Sequence, residues 1–168
     1  VADLLGDDTA RLLGRVTLDP RAHLDPIGSV MLLVAGFGWG KPVPFNPINL
    51  KNPKRDSALI ALAGPMSNFL LGGLLAVIVS FIGVNSIAGS FLYFTIFYNV
   101  VLGVFNLIPI HPLDGYKIVA GFLPPNLYMQ WMQMSQYGLY ILLFLIVTNA
   151  TDVIITPLIN LFMNLYGL

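Results

Sequence analysis

The stretch Asn99-Val-Val-Leu-Gly-Val-Phe-Asn106-Leu-Ile-Pro109-Ile-His111-Pro112-Leu-Asp114-Gly115-Tyr-Lys117 decides how the chain is read. It begins as apolar helix and ends in a loop that carries a carboxylate. Between Asp56 and His111 there is no Asp, Glu, Lys, Arg or His. Asp114 is therefore the first acid after a long hydrocarbon-compatible run. An ionisable group beside a membrane span is costly unless it faces protein, water or a metal, so it is a candidate functional residue. Asn99, Gly103 and Asn106 follow i, i+4, i+7 and share one helical face. Pro109 and Pro112 lack N–H groups and restrict the residues before them, which predicts a helix break near Leu107 to Pro109. Irregular backbone at membrane depth is tolerated where protein or a water-filled cavity covers it. A polar face running into a proline-broken loop suits the wall of such a cavity.

Beyond this stretch, the 168 residues are 57% hydrophobic and 10% charged. Soluble domains carry about 25% charged residues, so composition points to a membrane protein. Eight basic and eight acidic residues balance to zero, which gives no support for nucleic acid as a partner. All eight acids are Asp. The absence of Cys excludes disulfides, thiol nucleophiles and thiolate metal sites.

Residues 57–83 read as a transmembrane helix with Gly64-Pro65 in its first half. Gly64, Asn68, Gly72 and Ala76 recur every four residues as a close-packing face, with Asn68 a buried hydrogen-bonding group. A short uncharged turn over 84–90 leads to a second span over 91–108. Gly115 to Phe122 suits a short helix ended by Gly121 and Pro124-Pro125, and Tyr128 and Trp131 suit an interfacial aromatic belt. Residues 135–149 and 153–166 are apolar, interrupted at Thr151-Asp152. They fit one kinked span or two half-spans.

Ahead of these, residues 1–25 are polar, with a short helix expected near Asp7-Asp8-Thr9. Residues 27–37 are apolar but too few to span a bilayer, so a re-entrant or interfacial segment is expected, and Gly36, Gly38 and Gly40 then loosen the chain. Lys41 to Pro53 holds four prolines and predicts a small extended or β element near 38–50. The fold expectation is an all-α, multi-pass membrane protein forming a single domain over 1–168. Basic residues cluster in 11–21, 41–55 and at Lys117, which places the charged loops and Asp114 on the cytoplasmic side of the cell membrane.

Taken residue by residue, Asp114-Gly115 fits either a simple turn or a metal-binding carboxylate. The order of motifs adds a resemblance. Asn106, Pro109, Leu113, Asp114 and Gly115 match the N-x-x-P-x-x-x-L-D-G segment of site-2 proteases, the intramembrane zinc metalloproteases of peptidase family M50. Gly64-Pro65-Met66-Ser67-Asn68 resembles the family's G-P-x-x-N. Asp19-Pro20, His23-Leu24-Asp25-Pro26-Ile27-Gly28, Gly38-Trp39 and Lys41-Pro42-Val43-Pro44 resemble the compact bacterial and archaeal members that have no PDZ domain. The resemblance implies Zn2+ as cofactor in the intact protein and Asp114 as its third protein ligand. It implies Asn106, with Asn99 and Pro109, lining the site. Transmembrane proteins would be the substrates and the lipid bilayer the setting. In that family a helical H-E-x-x-H supplies two zinc ligands and the general base.

The sequence has two His, His23 and His111, no H-E-x-x-H and no Glu. His23 reads as a surface-loop residue. His111 lies three residues from Asp114, but relatives often have another residue there. The family resemblance therefore implies a protease whose active-site helix precedes Val1, since Leu4 to Ala10 resembles the stretch just after that helix. The chain alone would be inactive. A non-catalytic membrane scaffold or substrate-binding relative is the other reading, and a transporter with broken helices a third. The coding sequence upstream of Val1 separates them. An H-E-x-x-H is expected within the preceding ~20 residues, about one span. A start codon at this position without that motif would favour the scaffold.

Overall fold

The computed structural model describes residues 1–35 and 38–168. Residues 36 and 37, which close the expected re-entrant segment and include Gly36, lie outside the described residues, as does the side chain of Ala35. Eight α-helices occur in order among the described residues: α1 (Thr9–Leu12), α2 (Pro26–Ala35), α3 (Pro53–Ile82), α4 (Ile87–Asn106), α5 (Asp114–Phe122), α6 (Pro125–Gln133), α7 (Ser135–Val147) and α8 (Ala150–Leu165). The chain divides into two compact units, Val1–Asp56 and Ser57–Leu168.

The first unit is tied together by polar groups. Asp7 is buried, and its carboxylate accepts from the Thr9 hydroxyl and amide, the Asn46 amide at 2.8 Å and the Asn49 side chain at 2.8 Å. One short side chain thus joins residues about forty positions apart. The Arg15 guanidinium donates to the carbonyls of Lys41 and Pro42. Gly28 and Trp39 come so close that a Cβ on Gly28 would sit 2.1 Å from the Trp39 carbonyl oxygen. α2 is ten residues long, about 15 Å, half the hydrocarbon thickness.

The extended element expected over 38–50 is corrected by the structure. Among the described residues there is no strand, only an isolated antiparallel bridge between Leu24 and Gly40. The prolines explain why: with no N–H to give, they cannot build a ladder. Pro47–Asn49 instead forms a 3-10 turn capped by the Asn46 side chain, which accepts from the Ile48 amide. Asp56, in the first turn of α3, then accepts from the Asn52 amide at 2.8 Å, closing the helix start back on the residue before it.

In the second unit, α3 and α4 are each long and apolar enough to cross a membrane, and α7 with α8 makes a third candidate as a bent pair. The break after α4 falls at Leu107, where the sequence places it. α7 and α8 meet at 79°, turning at Asn149 with φ 56°. The break lies just before Thr151-Asp152, which are helical in α8. α4 packs most extensively on α8. The core is Phe69, Ala76 and Val79 of α3, Ile96, Val100 and Val104 of α4, Leu142 of α7, and Ile155 and Met163 of α8. Gly103 lets α3 approach α4: a Cβ there would lie 2.6 Å from the Phe69 ring. Phe69 stacks on Phe162 with centroids 4.1 Å apart. Tyr166 donates its hydroxyl to the Phe69 carbonyl at 2.7 Å and lays its ring over Gly72 and Gly73.

The Asp7 hub generates a pH prediction. The Thr9 hydroxyl, with the Asn46 and Asn49 donors, outweighs the opposing effect of burial and holds the Asp7 carboxyl down at about 2, against an ordinary 3.8. A depressed folded pKa stabilises at pH above the ordinary value, and the contribution is lost as pH falls from about 4 through about 2. Protection of the Asn46 amide from hydrogen exchange, taken relative to its intrinsic rate at each pH, should therefore fall across that window in the wild type. In Asp7→Asn this protection should be low already at pH 6 and change little between pH 4 and 2.

Candidate active site

Asp114 occupies the first turn of α5, directly after the buried Leu113. The turn between α4 and α5 is held by backbone bonds from Ile110 to Ile108 and from Leu113 to Ile110, and it contains a cis His111–Pro112 peptide. Gly115 is what lets α5 begin there. A Cβ on Gly115 would sit 2.2 Å from the Leu107 carbonyl oxygen and 2.5 Å from that of Ile108, so no other residue fits without moving backbone. The Asp-Gly pair is therefore a close approach of α5 to the end of α4.

The Asp114 carboxylate is half-buried. Burial pushes its carboxyl above the ordinary range, and Lys117, three residues on, pulls it partly back. Across from it lies α3. The Cβ that Gly64 lacks would stand 3.1 Å from Asp114 Oδ2. The two motifs singled out in the sequence, fifty residues apart, thus meet at one oxygen atom.

α5 is locked to α6 by a reciprocal pair. The Tyr116 hydroxyl donates to the Trp131 carbonyl at 2.6 Å, and the Trp131 indole donates to the Tyr116 carbonyl at 3.0 Å. Their rings stack with centroids 5.1 Å apart. Trp131, expected in an interfacial belt, is thus a partner of the site helix. The sequence gives no signal for this pairing beyond the presence of two aromatic residues with polar tips.

Asn99 and Asn106 flank the buried face of α4, and each donates its amide to the carbonyl four residues back, Thr95 and Leu102, at 2.8 Å. Pro109 is exposed and lines a small apolar cleft with Ile110, His111, Tyr116, Trp131, Met134, Gly138 and Ile141. His111 stands edge-on to Tyr116 with centroids 5.5 Å apart, and Gly138 of α7 packs on its backbone. His23 pairs with the Thr17 carbonyl at 2.9 Å. Among the described residues no three His, Cys, Asp or Glu side chains come together as a metal-binding group. Asp114 suits one ligand of a zinc ion, as an accessible carboxylate oxygen on a rigid helix end; a full set needs two more.

Comparison with known proteins gives the family. Residues 82–148, from the last residue of α3 through α7, match peptidase family M50. The chain is 40% identical over 169 residues to "Putative zinc metalloprotease YwhC" of Bacillus subtilis, an alignment covering 95% of this chain and 77% of that protein. The chain belongs to peptidase family M50. It is also 32% identical over 148 residues to "Putative zinc metalloprotease Rip2" of Mycobacterium tuberculosis, covering 83% of this chain and 56% of that protein. Over a shorter span, 37% of 73 residues are shared with "Zinc metalloprotease MJ0392" of Methanocaldococcus jannaschii, 44% of this chain and 22% of that protein. No solved structure matches. The M50 assignment establishes a site-2 protease-like membrane protein whose relatives are named for zinc.

The tight turn of this M50 chain can be tested apart from its chemistry. Gly115→Ala places a methyl inside contact distance of two carbonyl oxygens, a clash of the overpacking kind that costs about 1–3 kcal/mol. The melting temperature in detergent should fall clearly, whereas Gly73→Ala, whose methyl would meet the Tyr166 ring at the ordinary contact distance of 3.4 Å, should change it little.

Proposed function

We propose that Asp114 is a zinc ligand of an intramembrane metalloprotease that hydrolyses peptide bonds within or near the transmembrane segments of substrate proteins. The observation that carries the reading is the half-buried carboxylate at the start of α5, held by a turn that only glycine permits and facing α3 at Gly64. Two further zinc ligands and the general base come from residues outside these 168. The sequence offers no Glu, and among the described residues neither of its His joins Asp114 in a metal-binding group of three.

Zinc, when bound, lowers the pKa of its water toward ~7 and polarises the carbonyl to be cut. The chain's own residues do the rest of the positioning. Asp114 neutralises part of the ion's charge and fixes its place against α3 and α5. Asn99 and Asn106 have committed their amide N–H groups to their own helix, which leaves the side-chain oxygens as acceptors for an unwound substrate backbone. Pro109 forms the exposed edge of the same turn. A substrate helix must unwind before its peptide bonds can be cut, and free N–H groups in an apolar setting need acceptors. Basic residues in 11–21, 41–55 and at Lys117 support a cytoplasmic location for Asp114 and the charged loops.

Asp114→Asn is the test. It keeps size and turn propensity but removes the negative charge and the carboxylate donor. Cleavage of a reporter transmembrane substrate by the intact protein should fall to background at matched membrane levels, and bound zinc should fall with it, while the melting temperature of the metal-free protein stays within a few degrees of wild type. Near-normal cleavage and zinc content would return Asp114-Gly115 to a purely structural role.

A further inference from the structure

The second motif of this chain, Gly64-Pro65-Met66-Ser67-Asn68, sits on α3 and has no part in the chemistry proposed for Asp114. The sequence reads Gly64 as a packing glycine, one of a series with Asn68, Gly72 and Ala76. The structure separates its members. Gly72 meets the Tyr166 ring at 3.3 Å, and Ala76 is buried in the core. Gly103 on α4 behaves as a packing glycine should: it is buried, and three atoms of one ring crowd its missing Cβ within 3.1 Å. Gly64 is different on both counts. It is exposed, and outside its own helix a Cβ there would meet one described atom within 4 Å, Asp114 Oδ2. Close helix packing gives no reason for a glycine there, because among the described residues the atom facing the missing Cβ is a carboxylate oxygen rather than the backbone or a packed ring of another helix.

We propose that Gly64 is a positioning residue for Asp114: by carrying no side chain it leaves Oδ2 uncovered and lets the carboxylate keep the rotamer in which that oxygen can bind a metal ion. The inference rests on the reading of Asp114 as a zinc ligand. A methyl at 3.1 Å is tighter than ordinary contact, so the carboxylate must give by a few tenths of an ångström or turn away. Carboxylate-to-zinc bonds are about 2.0–2.2 Å, and a turned carboxylate no longer meets that distance while the other ligands stay fixed. Pro65, directly after Gly64, is fully buried, so moving this part of α3 away from Asp114 would disturb a packed ring. The methyl therefore cannot be accommodated by a free shift of the helix.

The experiment is a double-mutant cycle in the intact protein, read by zinc retention against graded chelator and by thermal melting of the metal-free form. Gly64→Ala should weaken zinc binding by about 10–100-fold, the range found when groups that orient a metal ligand are altered. Gly72→Ala, which crowds the Tyr166 ring instead, should lower the melting temperature and leave zinc affinity unchanged. In the metal-free protein any loss of stability caused by Gly64→Ala should be relieved when Asp114 is also changed to Ala, because the described atom that the methyl meets is then gone and what is left is the small gain of alanine over glycine within a helix. If Gly64→Ala alone fails to fold, the double variant should recover folding. Wild-type zinc affinity in Gly64→Ala, or a melting shift of equal size with and without the Asp114 carboxylate, would overturn the proposal. Retention of zinc by Asp114→Asn would instead overturn the ligand reading beneath it, so the two failures are distinct.

Discussion

The close approach of Gly115 to the Leu107 and Ile108 carbonyls is the constraint on which the rest of the second unit depends. A span such as α4 ends with carbonyls that have no partner in the helix. The chain must turn there, near the membrane, without leaving polar backbone uncovered. The solution is a compact turn in which proline removes donors at Pro109 and Pro112, and the backbone of the new helix packs directly on the end of the old one. That contact fixes where α5 starts, and Asp114 is carried on its first turn. The position of the carboxylate is therefore a backbone property, set before any side chain contributes.

Packing then brings the other wall to it. α3 is drawn to α4 by Gly103 under Phe69, and to the end of α8 by the Phe69–Phe162 stack and the Tyr166 hydroxyl bond. These contacts lie more than a turn along α3 from Gly64, but α3 is one continuous helix, so they fix its axis and the direction in which Gly64 faces. On the other side, the reciprocal Tyr116–Trp131 pair holds α5 against α6. Each bond satisfies a polar tip that would be costly to leave unpaired in an apolar setting. Asp114 is thus held from both sides by groups that are themselves fully occupied. Such support suits the metal-ligand role proposed for Asp114, because small misplacements of a ligand are felt as lost affinity.

The polar hub at Asp7 solves the opposite problem. The Val1–Asp56 unit has few buried apolar side chains, and its loops are rich in prolines that cannot pair in a sheet. A single carboxylate with several donors replaces the missing ladder, and the close approach of Gly28 to the Trp39 backbone ties α2 to residues 38–40. Order here comes from hydrogen bonds made by side chains to backbone, which no hydrophobic period announces.

Much of the architecture was written in the one-dimensional pattern. Two spans, the helix break at Leu107, the short helix after Asp114 and the importance of the Asp-Gly pair all come from local rules: apolar length, the chemistry of proline and the cost of a lone acid beside hydrocarbon. The ordered motifs also pointed to family M50, as the comparisons establish. What the sequence left open or misread depends on contacts between distant residues. Four prolines suggested an extended element, but a strand needs a partner, and none forms among the described residues. The apolar run over 135–166 fitted one kinked span or two half-spans, and the left-handed turn at Asn149 and the 79° bend divide it into two helices that together make one candidate span. Gly64 looked like its neighbours in a four-residue series. Its meeting with Asp114 arises from the angle at which α3 crosses the α4–α5 turn, and no spacing along one helix encodes the side on which another helix will arrive.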